Sequence, residues 1–185
     1  MNKISDKKVA IYIDGSNLYY KLKELGIENT IEFNYSKFCD YLARGRKVIS
    51  KRYYVGVVRA KMDNIKGQEL RKEQQKLFNN LRKQDFIIKR GYLMENNVRY
   101  HEKGVDVKLA IDLLIGAYDN IYDVAIVVSS DTDLIPAIKQ IKYLNKEIEY
   151  IGFSHRPSFG MQKYATKSIL LLKEDIEKFI QTSLV

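Results

Sequence analysis

The chain has 185 residues, enough for one domain with a sizeable core and too few for two, and it carries a formal charge of +9 with 30% charged residues. That balance favours a polyanionic partner, because lysine and arginine held near phosphates gain affinity by releasing counterions, although it equally suits solubility or a membrane surface. Cys39 is the sole cysteine and His101 and His155 are the two histidines, which excludes a disulfide framework and argues against a soft-metal site while leaving oxygen-ligated hard cations open.

From the N-terminus to Gly15 there is no apolar stretch long enough for a signal peptide or a span, so a cytoplasmic protein without a membrane is expected. Residues 9–13 (Val-Ala-Ile-Tyr-Ile) form a continuous, β-branched apolar run stopped by Asp14-Gly15, a buried strand followed by a turn that Gly15 eases. Helices are predicted near 17–24 and 36–43, a strand near 52–58, a helix near 66–83 and a strand near 85–89. Residues 91–100 suit a hairpin with an Asn-Asn turn, and 105–118 a helix apolar on nearly every side and therefore substantially buried. A second buried strand, 124–128, is followed by a helix near 133–144, a strand near 147–152, a short strand near 168–172 and a last helix around Ile176 to Ile180. Apolar strands alternating with helices predict a single three-layer α/β/α domain over 1–185 with a mainly parallel central sheet. Such sheets bind ligands at the carboxyl ends of their strands, where Asp14 and Asp131 both fall.

Asp14, Asp106, Asp131 and Asp133 are the candidate catalytic and metal-ligating set. Each also has an ordinary reading as a helix cap or as an anion in a helix's first turn. One cap needs only one acid, however, and Asp131 and Asp133 stand two apart among Ser129, Ser130 and Thr132. Clustered carboxylates resist ionising together unless a cation compensates, and two divalent ions then allow phosphodiester hydrolysis without cysteine or histidine. Magnesium or manganese is the expected ion. Asn17, Ser130 and Thr132 are candidate phosphate contacts. Asp112 lies six residues after Asp106 and off its face, so it is expected to pair with Lys108 and to serve structure, or at most to support the ligands from behind.

Three segments together resemble one family. Tyr12-Ile13-Asp14-Gly15-Ser16-Asn17-Leu18, the stretch Glu102-Lys103-Gly104-Val105-Asp106 through Asp112, and Ser129-Ser130-Asp131-Thr132-Asp133-Leu134-Ile135-Pro136 are similar to the NYN domain, in its LabA-like branch of the PIN-like nuclease superfamily. The resemblance implies a sheet ordered 3-2-1-4-5, with Asp14 and Asp131 flanking the switch point, and metal-dependent cleavage of RNA by the four aspartates. Two departures stand out: Ser130 and Thr132 replace glycines common in relatives, and Ala165-Thr166 stands where relatives often carry Ala-Asp.

Lysine and arginine cluster at Arg44 to Lys47, Lys51-Arg52, Arg59 to Lys61, Arg71-Lys72, Arg82-Lys83 and Lys89-Arg90, mostly read as solvated surface. Arg59 and Lys61, just past the second strand, are the preferred phosphate contacts, followed by Arg99, His101 and Lys103. No tyrosine among the fourteen is singled out as a base reader. The leading expectation is a ribonuclease acting on single-stranded or structured RNA. The alternatives are a nucleic-acid-binding or scaffold module that does not cut, and a phosphohydrolase of small esters, which lacks its usual second acid after Asp14. A homodimer through an unpaired strand near 147–152 or the last apolar segment is a further expectation.

Overall fold

The computed structural model describes residues 6–27, 30–58, 64–96 and 99–180, with backbone alone over 92–103. Its strands are β1 (Lys8–Asp14), β2 (Lys47–Val57), β3 (Ile87–Asn96), β4 (Arg99–Lys103), β5 (Val124–Val128), β6 (Glu147–Phe153) and β7 (Lys167–Leu171). The helices are α1 (Gly15–Glu24), α2 (Tyr35–Ala43), α3 (Ile65–Lys83), α4 (Val105–Tyr118), α5 (Ile135–Tyr143), α6 (Phe159–Tyr164) and α7 (Lys173–Glu177), with a 3-10 turn at Thr132–Leu134.

All seven strands join one sheet in the order β4-β3-β2-β1-β5-β6-β7. Every neighbouring pair is parallel except β3 with β4. Counted over parallel strands alone the order is 3-2-1-4-5-6, the expected order extended by one strand. The hairpin expected over 91–100 is β3 with β4, and its tip at 97–98 lies outside the described residues.

Period-two alternation on β1 divides the core. Val9, Ile11 and Ile13 point to one layer, where Leu18, Leu22, Phe38, Leu42, Phe78, Leu81 and Ile176 pack from α1, α2, α3 and α7. Ala10 and Tyr12 point to the other, with Leu109, Leu113, Ile138, Ile141 and Met161 from α4, α5 and α6. Burial on both faces is what a parallel sheet with crossover helices requires. No helix among the described residues is long and apolar enough to cross a membrane.

Three expectations are corrected and one is refined. The strand at 147–152 is not unpaired, because β6 lies between β5 and β7 and offers no edge to a second copy. Helix α4 is not buried all round: Val107, Ile111, Ile115 and Tyr118 lie exposed at i, i+4, i+8 and i+11, so its apolar residues exceed what the sheet can cover. Among the basic clusters, mostly read as solvated surface, Arg46 and β2 add structural roles. Arg46 reaches over the sheet end to clasp buried Glu149 bidentately at 2.9 and 2.7 Å, and β2 begins early enough to carry Lys51 and Arg52 as strand residues. Gly15 is not a turn residue of unusual conformation: it is the first residue of α1 and is absent from the glycines of positive φ.

Candidate active site

Two strands that are adjacent in space but far apart in sequence bring the site together. In the β1–β5 ladder Ile13 pairs with Val128, so the chain leaves both strands side by side, with Asp14 on one and Ser129 on the other. This is the crossover of the sheet, where connections depart to opposite faces and leave a crevice. Asp14 is buried, and its two oxygens are held separately. Oδ1 accepts from the Asn17 backbone N–H at 3.0 Å, and Oδ2 accepts from Ser129 Oγ at 2.9 Å. Ser129 Oγ in turn accepts from the Asp131 backbone N–H at 3.2 Å, so one buried hydroxyl ties the two strand ends together. Asn17 adds a second tie, its Oδ1 accepting from the Ser130 N–H at 3.2 Å. That leaves its amide nitrogen as the donor end.

Asp131 accepts the Asp133 N–H at 2.9 Å through Oδ1, which caps the 3-10 turn, and its other oxygen has no hydrogen bond among the described residues. Asp133 is exposed, and its carboxylate meets no donor or cation there. Ser130 Oγ lies 3.1 Å from Tyr150 Oη, and the same phenol oxygen accepts from the Ser158 N–H at 3.1 Å. Thr132 is exposed at the start of the 3-10 turn.

Asp106 reaches the same level by way of the hairpin. Asp14 pairs with Tyr54, Val57 with Tyr92, and Tyr92 with Lys103, so α4 starts beyond the carboxyl ends of the strands and runs back across the sheet. Its first turn, carrying Asp106, therefore sits at the rim, and α4 packs against β1, β2 and the 3-10 turn. The cap of α4 is Gly104, so Asp106 does not serve as the N-cap. Six residues on, Asp112 sits about 9 Å deeper at 1.5 Å per residue. It takes no part in the acidic rim and does not pair with Lys108, which donates to the Arg90 carbonyl instead. Asp112 accepts from Tyr54 Oη at 2.8 Å and meets Lys89 at 3.1 Å and Arg52 at 3.4 Å, fastening α4 to β2 and β3. Burial pushes the neighbouring Tyr12 phenol up to about 12, with Arg52 opposing and Asp112 reinforcing. Tyr54 is raised as well, by burial and by its donation to Asp112.

No group of three or more His, Cys, Asp or Glu side chains among the described residues gathers closely enough to hold a metal ion. The donors present still suit one. They are carboxylate oxygens with lone pairs to spare, and magnesium is commonly held by one or two carboxylates with water and substrate phosphate completing its shell. Asp14 and Asp131 are such a pair. Arg59 and Lys61 lie outside the described residues, and Arg99, His101 and Lys103 fall on β4, where backbone alone is described. Two residues that shape the site went unread in the sequence, Tyr150 and Ser158. A tyrosine in the middle of a buried apolar strand is the available signal, since a buried phenol needs a polar partner.

No curated protein matches the chain significantly. The crystal structure of a protein of unknown function from Vibrio parahaemolyticus is similar to it with a TM-score of 0.67 at 21% identity, over 92% of this chain and 96% of that one. At that identity the likeness shows the fold. The family model described as NYN domain matches residues 8–172, from the first residue of β1 to just past β7, and so takes in every candidate acid. The NYN domain is a member of the PIN-like nuclease superfamily, and the chain belongs to the NYN domain family.

Proposed function

We propose that the protein is a divalent-metal-dependent ribonuclease whose reaction takes place at the crossover between β1 and β5. The observation that carries this reading is the Asp14–Ser129–Asp131 linkage, which fixes two strand-end aspartates around one buried hydroxyl at the place where open parallel sheets bind ligands. Asp14 and Asp131 would hold magnesium or manganese. The chemistry contributed by such an ion when bound is Lewis-acid polarisation of the scissile phosphate and neutralisation of the charge that builds during displacement. Ser129 and the Asn17 N–H keep the Asp14 carboxylate in place, so no reorganisation is needed when substrate arrives. Asp133 and Asp106 form an acidic rim and orient the attacking water through hydrogen bonds. The Asn17 amide, Ser130 and Thr132 contact phosphate, as do Arg59 and Lys61 by their place just beyond β2. Asp112 serves the site indirectly, by fastening the helix that carries Asp106.

The test is cleavage of RNA by purified protein with magnesium or manganese, with chelator, and with Asp131→Asn. We expect turnover that chelation and the substitution each reduce by at least a hundredfold; an Asp131→Asn protein cutting at the wild-type rate overturns the reading. A second reading, a nucleic-acid-binding module that does not cut, is favoured by the lack of a gathered three-acid group among the described residues. It predicts salt-sensitive RNA binding without divalent-dependent turnover.

A further inference from the structure

Helix α6 is six residues long and begins with Phe159, which is 80% exposed and has no polar tip to justify contact with water. Its position is fixed relative to the acids. Ser158, immediately before it, donates its backbone N–H to Tyr150 Oη, and Tyr150 meets Ser130 Oγ next to Asp131. Gly160, immediately after it, lies so near the 3-10 turn that an added Cβ would stand 3.0 Å from Thr132 Cγ2 and 3.2 Å from Ile135 Cδ1. Phe159 is therefore held between two anchors, both of which lead to the loop carrying Asp131 and Asp133.

Two exposed cations stand close to it in the chain, Arg156 and Lys163. Arg156, three residues earlier, gives one guanidinium nitrogen to Glu24 at 2.9 Å, while its side chain stays 70% exposed. Glu24 is pinned in turn, its carboxyl held down at about 2 by its hydrogen bond with His155, with Lys21 and Arg156 assisting. Lys21 also donates to the Arg156 carbonyl at 3.4 Å, which ties this loop to α1. Lys163 follows Phe159 by four residues and is exposed on the same side of α6. An exposed aromatic ring with exposed cations three residues before it and four after it, next to the loop of the proposed site, matches one ligand chemistry, an unpaired base with its backbone phosphates.

We infer that Phe159 is a stacking platform for an unpaired base of a single-stranded nucleic acid, with Arg156 and Lys163 contacting the adjoining phosphates, so that the strand is presented to the Asp131 loop. This rests on the nuclease reading and adds to it a residue that holds single strands or loops in preference to continuous duplex. In a duplex the bases stack on one another and no face is free for the ring.

The test is binding, measured by fluorescence anisotropy of labelled oligouridylate and of a blunt-ended RNA duplex, with chelator present so that nothing is cut. Stacking on one ring predicts that Phe159→Ala weakens oligouridylate binding about tenfold, that Phe159→Trp binds at least as tightly as wild type, and that duplex binding is the same in all three. The exposure of Phe159 makes both substitutions compatible with folding. An unchanged oligouridylate affinity in Phe159→Ala overturns the platform, as does an equal loss for the duplex. Wild-type protein that binds neither probe overturns it too. Wild-type protein that binds oligouridylate through Phe159 but never cuts RNA with magnesium or manganese sustains the platform and overturns the nuclease reading alone.

Discussion

Gly15→Ala sets two effects of opposite sign against each other at the residue following Asp14. Replacing glycine by alanine inside a helix stabilises it by up to ~1 kcal/mol, because glycine loses more backbone entropy on folding, and Gly15 is the first residue of α1. The added methyl has no room, however. It would stand 2.7 Å from Tyr53 Cζ and 2.7 Å from the Tyr54 carbonyl oxygen, and closer still to Tyr53 Cε1, against about 3.5–4.0 Å for an ordinary carbon contact. Tyr53 is buried and packs edge-on against Tyr35 with ring centroids 5.6 Å apart, so its ring has nowhere to swing. The Tyr54 carbonyl belongs to β2, which cannot retreat without parting from β1. Overpacking of this kind costs roughly 1–3 kcal/mol, more than the entropic gain. The expected net loss of about 1–2 kcal/mol lowers Tm by about 2–8 °C in a chain of this size. Because the displaced segment carries Asp14, divalent-dependent cleavage falls by about tenfold or more, roughly 1.4 kcal/mol in the barrier. Thermal unfolding followed by circular dichroism, alongside the cleavage assay, reads both numbers. Gly26→Ala is the control: there a Cβ meets open space but φ is +80°, so it costs stability through backbone strain and leaves cleavage intact. A Gly15→Ala protein as stable as wild type would refute the packing argument, and one destabilised but fully active would refute its link to Asp14.

Asp112→Asn is expected to cost about 2–3 kcal/mol in denaturant unfolding, because it leaves Arg52, Lys89 and Tyr54 without the carboxylate that joins them in a largely buried position; a loss below about 0.5 kcal/mol would show that this network does not secure α4. Alkaline stability should fall steeply over a defined window. Tyr12 has a folded pKa of about 12 against an ordinary 10.0, and Tyr35, Tyr54 and Tyr122 are also raised by burial. A folded-state pKa raised in this way means that the stabilisation is complete below pH 10.0 and is lost as pH rises from there toward about 12. Melting temperature and tyrosinate absorbance should therefore change together in that interval, and a melting temperature that is flat across it would show these phenols ionise without unfolding the chain.

The parallel strands were legible because burial on both faces leaves a mark in the residues themselves: Val9 to Ile13 and Val124 to Val128 are unbroken apolar runs. The first half of β2 left no such mark. Lys47 to Arg52 (Lys-Val-Ile-Ser-Lys-Arg) mix charged, polar and apolar groups with no long apolar run, because that end of the strand is only half covered, and strand formation there is imposed by pairing with β1. Helix α6 was missed for a similar reason. Within six residues only Met161 is buried, which is too little for a helical period to register. The clasp of Arg46 on Glu149 joins residues 103 apart in the chain, and no local pattern encodes it. For α4 the error ran the other way. Its pattern, apolar on nearly every side, reads as substantially buried, yet one apolar stripe stays exposed, because periodicity reports apolarity and not what lies opposite.

The site was legible to the extent that its residues sit at strand ends, and ambiguous because capping and metal ligation call for the same side chains. The structure separates the two. Asp14 and Asp131 do cap, each accepting the backbone N–H of a following residue. A carboxylate has about four lone-pair sites, so accepting one or two hydrogen bonds leaves both residues able to bind a cation. Capping and ligation are thus compatible at these two positions, and the hydrogen bonds that define the caps also hold the carboxylates still. Asp133 and Asp106 differ: Asp133 accepts no capping bond, and the cap of α4 is Gly104. Neither carboxylate serves as a helix cap. The four aspartates accordingly divide into a capping pair at the crossover and a pair that does not cap, a division that residue type alone gives no means to draw. On the nuclease reading the rim is where water and substrate arrive, and the proposed role of Phe159 requires its exposed ring to face that rim.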